Sequence, residues 1–193
     1  MVASCCVVGL SPGSALQQSR SNRNTFPRCP LPVADSQSPD LQTSPFEAAQ
    51  DGDLCSLRST VENGFSIDQM DRRGATVLHW AAGGGHVSVV RYVLRDCGCS
   101  VDLPQRGKRA FGGRTALHWA SRKGHLEVVK CLVEEFGANM EAATTDGTTA
   151  FCWAAWQGHE SVLKYLFQAG ADVHTFNRFG CNACLWAAQG AAD

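Results

Sequence analysis

A repeated phrase constrains the fold of this chain more than any other feature of its sequence. Residues 75–86 read ATVLHWAAGGGH and residues 114–125 read RTALHWASRKGH, with His, Trp and a Gly-His pair at the same offsets. The glycine that precedes or opens each copy recurs at spacings of 39, 34 and 33 residues, at Gly74, Gly113, Gly147 and Gly180. Self-similarity at such a period is typical of proteins built from stacked structural repeats.

Each copy begins with a residue suited to start a helix. Thr115 can act as the N-cap of a helix whose Leu117 and Ala120 point inward. The equivalent positions are Thr76, Thr149 and Asn182. A second glycine, suited to end this helix because it tolerates a positive φ, recurs at Gly85, Gly124 and Gly158, and Gly52 marks an earlier, degenerate copy.

A second helix is expected after each of these later glycines. Its apolar residues fall at i, i+1, i+4 and i+5, which is the spacing of one face of an amphipathic helix. The three sets are Val89, Val90, Val93 and Leu94; Val128, Val129, Leu132 and Val133; and Val162, Leu163, Leu166 and Phe167. A single helix pair cannot bury such a face, so the pairs are expected to stack on one another.

These residues resemble the ankyrin repeat, whose signature runs from Gly and Thr through Leu-His and two small residues to Gly-His and Gly-Ala-Asp. The resemblance covers about residues 44–193 and implies an all-α fold, an ankyrin-repeat solenoid of stacked helix-turn-helix units with β-turn or finger connections. We therefore predict a degenerate amino-terminal cap and four repeats, the last incomplete, at residues 44–70, 71–105, 106–143, 144–176 and 177–193.

The sequence departs from the family pattern at several positions. The proline usual after Thr is absent from all four copies, which removes some preorganisation of the first helical turn. The histidine that the resemblance implies would bond the turn is present as His79 and His118, but it becomes Cys152 and Leu185 in the later copies. The last copy has no second helix, which predicts an uncovered apolar face and suggests a truncated product or a missing carboxy-terminal part.

Residues 1–43 are predicted to be a disordered leader. Six of the seven prolines lie within the first 45 residues, among many Ser and Gln residues. Residues 1–34 contain arginines but no Asp, Glu or Lys, a composition that also occurs in organelle transit peptides. Two localisations stay open: an intracellular one, cytoplasmic or nuclear, and a plastid or mitochondrial one directed by residues 1–34.

Composition disfavours several classes of function. A net charge of −1 and a pI near 6.6 argue against a general affinity for nucleic acids or membranes, and no apolar run is long enough for a spanning helix. The ten cysteines form no compact disulfide framework, and Cys181 and Cys184 lack the second ligand pair of a structural zinc site. The histidines recur in separate repeats without converging, so we expect no catalytic residues, no metal and no cofactor.

The region most suited to bind a partner is a lengthened, basic finger between two repeats. The 39-residue spacing implies five or six extra residues in LPQRGKRAFGG, and residues 103–126 hold six basic residues and no acidic one. Trp156 can face the groove or pack on the next repeat, and the basic run can be a binding site or a solvated face. The candidate partner-binding residues are Arg72, Arg73, Arg109, Phe111, Arg114, Arg122, Lys123, Trp156 and Gln157.

Three functions follow from these patterns. The first is a non-enzymatic module or scaffold that binds another protein, with an acidic surface, through the concave groove and the basic finger. The second is a phosphate- or nucleic-acid-binding adaptor, which the scarcity of aromatic residues in the finger disfavours. The third is the regulatory ankyrin portion of a larger protein.

Overall fold

The computed structural model describes residues 44–107 and 112–190, which belong to one compact unit. The predicted leader, residues 1–43, lies outside the described residues. So do Arg109 and Phe111, two of the residues predicted to bind a partner.

Helices account for most of the regular structure in the described part of the chain. In chain order they are Pro45–Asp51 (α1), Leu54–Glu62 (α2), Val77–Gly84 (α3), Val87–Arg91 (α4), Ala116–Lys123 (α5), Leu126–Lys130 (α6), Ala150–Trp156 (α7), Glu160–Gln168 (α8) and Ala183–Gly190 (α9). Helices α4 and α6 each continue into a π-helical segment, Tyr92–Asp96 and Cys131–Glu135. No β-strand occurs within residues 44–107 or 112–190, so the predicted all-α architecture is confirmed.

The helices form two layers of a stack. In the inner layer α1, α3, α5, α7 and α9 pack side by side in that order, and in the outer layer α4 packs on α6 and α6 on α8. Small residues in the inner layer, among them Ala81, Ala120 and Ala154, are fully buried, which allows neighbouring helices to approach closely. The repeats therefore share one continuous core, as the stacking argument predicts.

The helices start where the sequence indicates. Thr76, Thr115 and Thr149 are N-caps with extended backbone angles, and the side chain of Asn182 accepts a hydrogen bond from the main-chain N–H of Leu185. The threonine at each of the first two starts is also tied to a histidine. The main-chain N–H of Thr115, for example, donates to Nδ1 of His118 at 3.1 Å.

Most of the predicted apolar face of the second helices is buried, but one residue is not. Val89, Val128 and Leu166 are at most 1% exposed, whereas Phe167 is 63% exposed. Phe167 belongs to α8, and the described part of the next repeat contains only α9, an inner helix. The expectation that Phe167 belongs to the core is therefore wrong.

Three histidines, one before each of α4, α6 and α8, join consecutive repeats by hydrogen bonds. Nε2 of His86, His125 and His159 lies 2.8 to 3.0 Å from a main-chain oxygen of the preceding repeat, at Gln50, Gly83 and Arg122 respectively. Glycine makes this contact possible. Gly85, with φ of 85°, ends α3, and a Cβ on it would come within 2.7 Å of the ring of His125. Gly52 and Gly124 likewise end helices and leave space for the rings of His86 and His159, whereas α7 ends before Gly158, with Gln157 as its C-cap.

The fingers, which are the turns before each inner helix, are also connected to one another. The main-chain N–H of Arg106 donates to the oxygen of Gly74, that of Thr145 to Gly112, and that of Arg178 to Asp146. Within the lengthened finger, Gln105 pairs through its main chain with Gly113 and Arg114. These bonds hold the base of the lengthened finger in a fixed position beside the inner helices.

Candidate functional site

The candidate site lies on the groove face, which we define as the fingers together with the exposed side of α3, α5, α7 and α9. These four helices contain no Asp or Glu, while α5 ends with Arg122 and Lys123. Ion pairs occur instead in the outer layer, where Arg91 pairs with Glu135 and Lys164 with Glu160. The two layers therefore differ in charge: α5 carries Arg122 and Lys123 with no carboxylate on α3, α5, α7 or α9, whereas the outer layer contains both signs of charge.

Arg114 and Arg122 meet at one indole ring on this face. The Cζ atoms of Arg114 and Arg122 lie 5.0 Å and 5.4 Å from the ring centroid of Trp153, within the range of cation–π attraction. Trp153 is only 2% exposed. Both arginines are half-buried because each packs over the indole.

Trp156 is part of the same cluster. Its ring packs edge-on against Trp153 at a centroid distance of 5.5 Å and against Trp186 of the next repeat at 5.8 Å. Arg122 also lies over Trp156, at 5.8 Å. Because Trp156 stays half-buried, it packs on the neighbouring repeat and still presents part of its ring to solvent. Of the two alternatives from the sequence, the structure shows packing on the neighbouring repeat.

The other candidate residues that the structure describes are Arg72, Arg73, Lys123 and Gln157. Arg72 and Arg73 are exposed in the first finger, and Lys123 and Gln157 are exposed at the ends of α5 and α7. The main chain of Arg73 contributes to finger pairing, since its oxygen accepts from the side chain of Gln105 at 3.0 Å. The structure thus brings together Arg114, Arg122 and Trp156 of the predicted set, whereas Arg109 and Phe111 lie outside the described residues.

The other repeated tryptophans are framework residues, as their periodicity predicts. Trp80 and Trp119 pack at a centroid distance of 5.4 Å, and Trp153 and Trp186 stack at 6.3 Å. The indole N–H of Trp80 donates to Asp71 at 3.0 Å. That of Trp119 donates to the side chain of Gln105 at 3.3 Å, so this tryptophan also braces the base of the lengthened finger.

The buried histidines act as structural links between turns. Nδ1 of His79 accepts from the main-chain N–H of Thr76, so its Nε2–H donates to the oxygen of Arg114 at 2.9 Å. His118 repeats the arrangement with Thr115 and with the oxygen of Thr148. Burial lowers the pKa of His79 and the pKa of His118 to about 4, which keeps both rings neutral at physiological pH. In His79 and in His118, both ring nitrogens are therefore hydrogen-bonded to the main chain.

The described residues include Cys181 and Cys184, the pair of cysteines with the spacing of zinc ligands. Cys181 is buried and Cys184 is exposed, and no three His, Cys, Asp or Glu side chains in the described segments are placed to hold a metal ion. Within the same segments no helix has the length and apolar character needed to cross a bilayer.

Sequence reasoning missed the role of Trp153 as the platform for two arginines. The signal was present in the alignment of the repeats. Arg114 occupies the position of Ala75 and Thr148, which are small and buried, and a long side chain there must extend over a neighbour. Arg122 likewise occupies the position that Gly83 has in the preceding repeat. The ring on which the two arginines pack could not be identified from the sequence, because a long side chain can extend towards either adjacent repeat.

Comparison with known proteins agrees with this architecture. A family model for ankyrin repeats, in three copies, matches residues 45–138 and 97–177. Osteoclast-stimulating factor 1 from Danio rerio is 35% identical over 66 residues, which cover 34% of this chain and 31% of that protein. The same protein from Monopterus albus is 48% identical over 48 residues, which cover 25% and 22% of the two chains.

A third relative is the eye-specific diacylglycerol kinase of Drosophila melanogaster, 40% identical over 68 residues that cover 34% of this chain and 5% of the kinase. The chain spans less than a third of the length of these relatives. The family model, in contrast, matches well over half of the chain, across the same residues that form the helix pairs. The chain therefore belongs to the ankyrin repeat family.

Proposed function

We propose that this chain is a non-enzymatic protein-interaction module whose groove face holds an acidic segment of a partner protein. Ankyrin repeats are generally protein-interaction modules and typically carry no enzymatic activity. The observation that carries the proposal is the distribution of charge: α3, α5, α7 and α9 contain no carboxylate and α5 ends with Arg122 and Lys123, while the outer helices and the segments that continue them form ion pairs. Cations gathered without acids attract a partner of the opposite sign.

The arrangement of the histidines supports the absence of catalysis. His79, His118 and His125 use ring nitrogens to bond main-chain oxygens, and a general base needs a free nitrogen beside a nucleophile or substrate. The low pKa of His79 and of His118, caused by burial, also makes each a poor base near neutral pH.

A protein partner fits the groove face better than a nucleic acid does. Binding to a nucleic acid backbone uses many cationic contacts spread along the strand. Here the cations of the inner helices are confined to the end of α5, and half-buried Trp156 beside them is the type of residue that anchors protein interfaces. Exposed Lys123 and Gln157 extend this surface along the ends of α5 and α7.

Site-specific crosslinking in the full-length chain tests this proposal. A photoreactive amino acid at exposed Gln157 samples the groove face, and the same group at exposed Lys164 on α8 samples the outer layer as a matched control. We expect the Gln157 variant to crosslink a partner within an acidic segment and the Lys164 variant to give no such product. Crosslinks from Lys164 alone would place the interface on the outer layer, and a crosslinked nucleic acid would change the class of partner.

A further inference from the structure

The junction between the second and third full repeats differs from the one before it. At the earlier junction Trp119 packs on Trp80, and Cε3 of Trp119 lies 2.9 Å from the place where a Cβ on Gly83 would stand. At the next junction Arg122 occupies the position equivalent to Gly83, and it lies over Trp153 and Trp156. A guanidinium group thus packs on the tryptophans of the next repeat at the position where the preceding repeat has a glycine.

Two guanidinium groups share the same indole at this junction. Arg114 approaches Trp153 from the finger and Arg122 from the end of α5, at 5.0 Å and 5.4 Å from the ring centroid. Packing on an aromatic ring restricts the rotamers of a long side chain, so less entropy is lost when its N–H groups bind a ligand. The cluster is therefore preorganised to offer planar N–H donors.

The electrostatics of the junction favour an anion. Arg122 forms no ion pair with a carboxylate of the described residues, and exposed Lys123 next to it adds a second positive charge. Two neighbouring cations without a carboxylate partner attract an anion. A carboxylate matches the fork of a guanidinium group and can accept two parallel N–H bonds from it.

We infer that Arg122, held on Trp153 and Trp156 beside Lys123, forms a receptor for a Glu or Asp side chain of the partner protein. The inference rests on the function proposed above and deepens it by naming the group that is recognised and the residues that recognise it. A carboxylate is favoured over a nucleic acid because these cations are concentrated at one junction, where they serve one or two carboxylates rather than a long row of phosphates.

Peptide binding to the full-length chain tests the receptor. The probe is a fluorescein-labelled peptide of alternating Glu and Gly, with a peptide of alternating Gln and Gly as the neutral control. We expect the Glu peptide alone to bind. Arg122→Gln should weaken its binding by at least about tenfold, the loss of one charge-assisted hydrogen-bonded contact. Arg122→Lys should weaken it by about fivefold, because it keeps the charge but not the planar fork.

Arg95→Gln is the matched control for these variants. Arg95 is exposed in the outer layer, where it pairs with Glu135, so its loss removes the same charge without touching the groove face. We expect peptide affinity within about twofold of the parent, and circular dichroism should show that all variants retain their helices. Equal effects of Arg95→Gln and Arg122→Gln would mean that the peptide responds to net charge, which would overturn the inference.

Three further outcomes would also overturn it. The first is no binding of the Glu peptide by the parent chain, and the second is equal affinity of parent and Arg122→Lys. The third is tighter binding of a thymidine oligonucleotide or of inorganic phosphate than of the Glu peptide. These results are distinguishable from failure of the proposed function, because crosslinking from Gln157 identifies the groove as the interface whether or not Arg122 is its anion receptor.

Discussion

Acidification should destabilise this protein through His79 and His118 before its carboxylates titrate. Both rings are at most 1% exposed, and burial lowers the pKa of each to about 4 from an ordinary value of 6.5. Between these two values the unfolded chain binds more protons than the folded chain. The stabilisation is therefore complete above about pH 6.5 and is lost as the pH falls towards 4.

The magnitude follows from the two pKa values. On going from about pH 7.5 to pH 5, each imidazole should lower the free energy of unfolding by about 2 kcal/mol, so the pair lowers it by about 4 kcal/mol. Burial also lowers the pKa of His125, which adds to the loss in the same direction. Urea denaturation of the full-length chain at several pH values, followed by circular dichroism, measures this dependence.

His118→Gln removes the contribution of His118 to the pH dependence and leaves that of His79. A glutamine at this position can still accept from the N–H of Thr115, as in a capping box, but loses the bond to the oxygen of Thr148. We expect a cost of about 1 to 2 kcal/mol near pH 7.5 and a loss of stability on acidification smaller by about 2 kcal/mol. His174→Gln, which changes an exposed ring, is the control for the substitution itself and should change stability near pH 7.5 by under about 0.5 kcal/mol.

Two results would refute this reasoning. If His118→Gln retains the full pH dependence of the parent, the buried imidazole is not the group that titrates. If stability increases on acidification from pH 7.5 to pH 5, the sign of the histidine contribution is opposite to the one that burial requires.

Two further predictions compare residues that differ in one property. Gly124 and Gly137 both have positive φ, but only a Cβ at Gly124 would clash with a ring, 2.6 Å from Nδ1 of His159. In urea denaturation, Gly137→Ala should lower the free energy of unfolding by about 1 kcal/mol and Gly124→Ala by distinctly more. Leu166→Ala should cost about 2 to 5 kcal/mol because Leu166 is fully buried, whereas Phe167→Ser should change stability by under about 0.5 kcal/mol. Equal costs within either pair would contradict the packing described above.

The repeat framework could be predicted from sequence because each of its residues recurs in register. Thr76 and Thr115 start helices, Gly85 and Gly124 end them, and the pattern of Val89 and Val90 fixes the buried face of a second helix. Local chemistry decides these features, so one copy predicts the next.

The groove cluster was less predictable because it depends on residues that occur once. The identity of Arg114 and Arg122 was sufficient to mark them as binding candidates, but not to show that both pack on Trp153. Phe167 was misplaced for a related reason: its burial depends on a neighbouring helix and not on its position in its own helix. Contacts between repeats, unlike helix starts, require the three-dimensional stack.

Charge reversal on each face of the stack, combined with capture of the partner identified by crosslinking, tests the central claim most directly. The full-length chain with Arg122→Glu and Lys123→Glu should lose the partner, and capture by the parent should weaken with salt, because exposed charges are screened over about 8 Å at physiological ionic strength. The control with Arg95→Glu and Lys164→Glu changes the same number of charges in the outer layer and should capture the partner as the parent does. Loss of capture by the control, with the groove variant unaffected, would contradict the account.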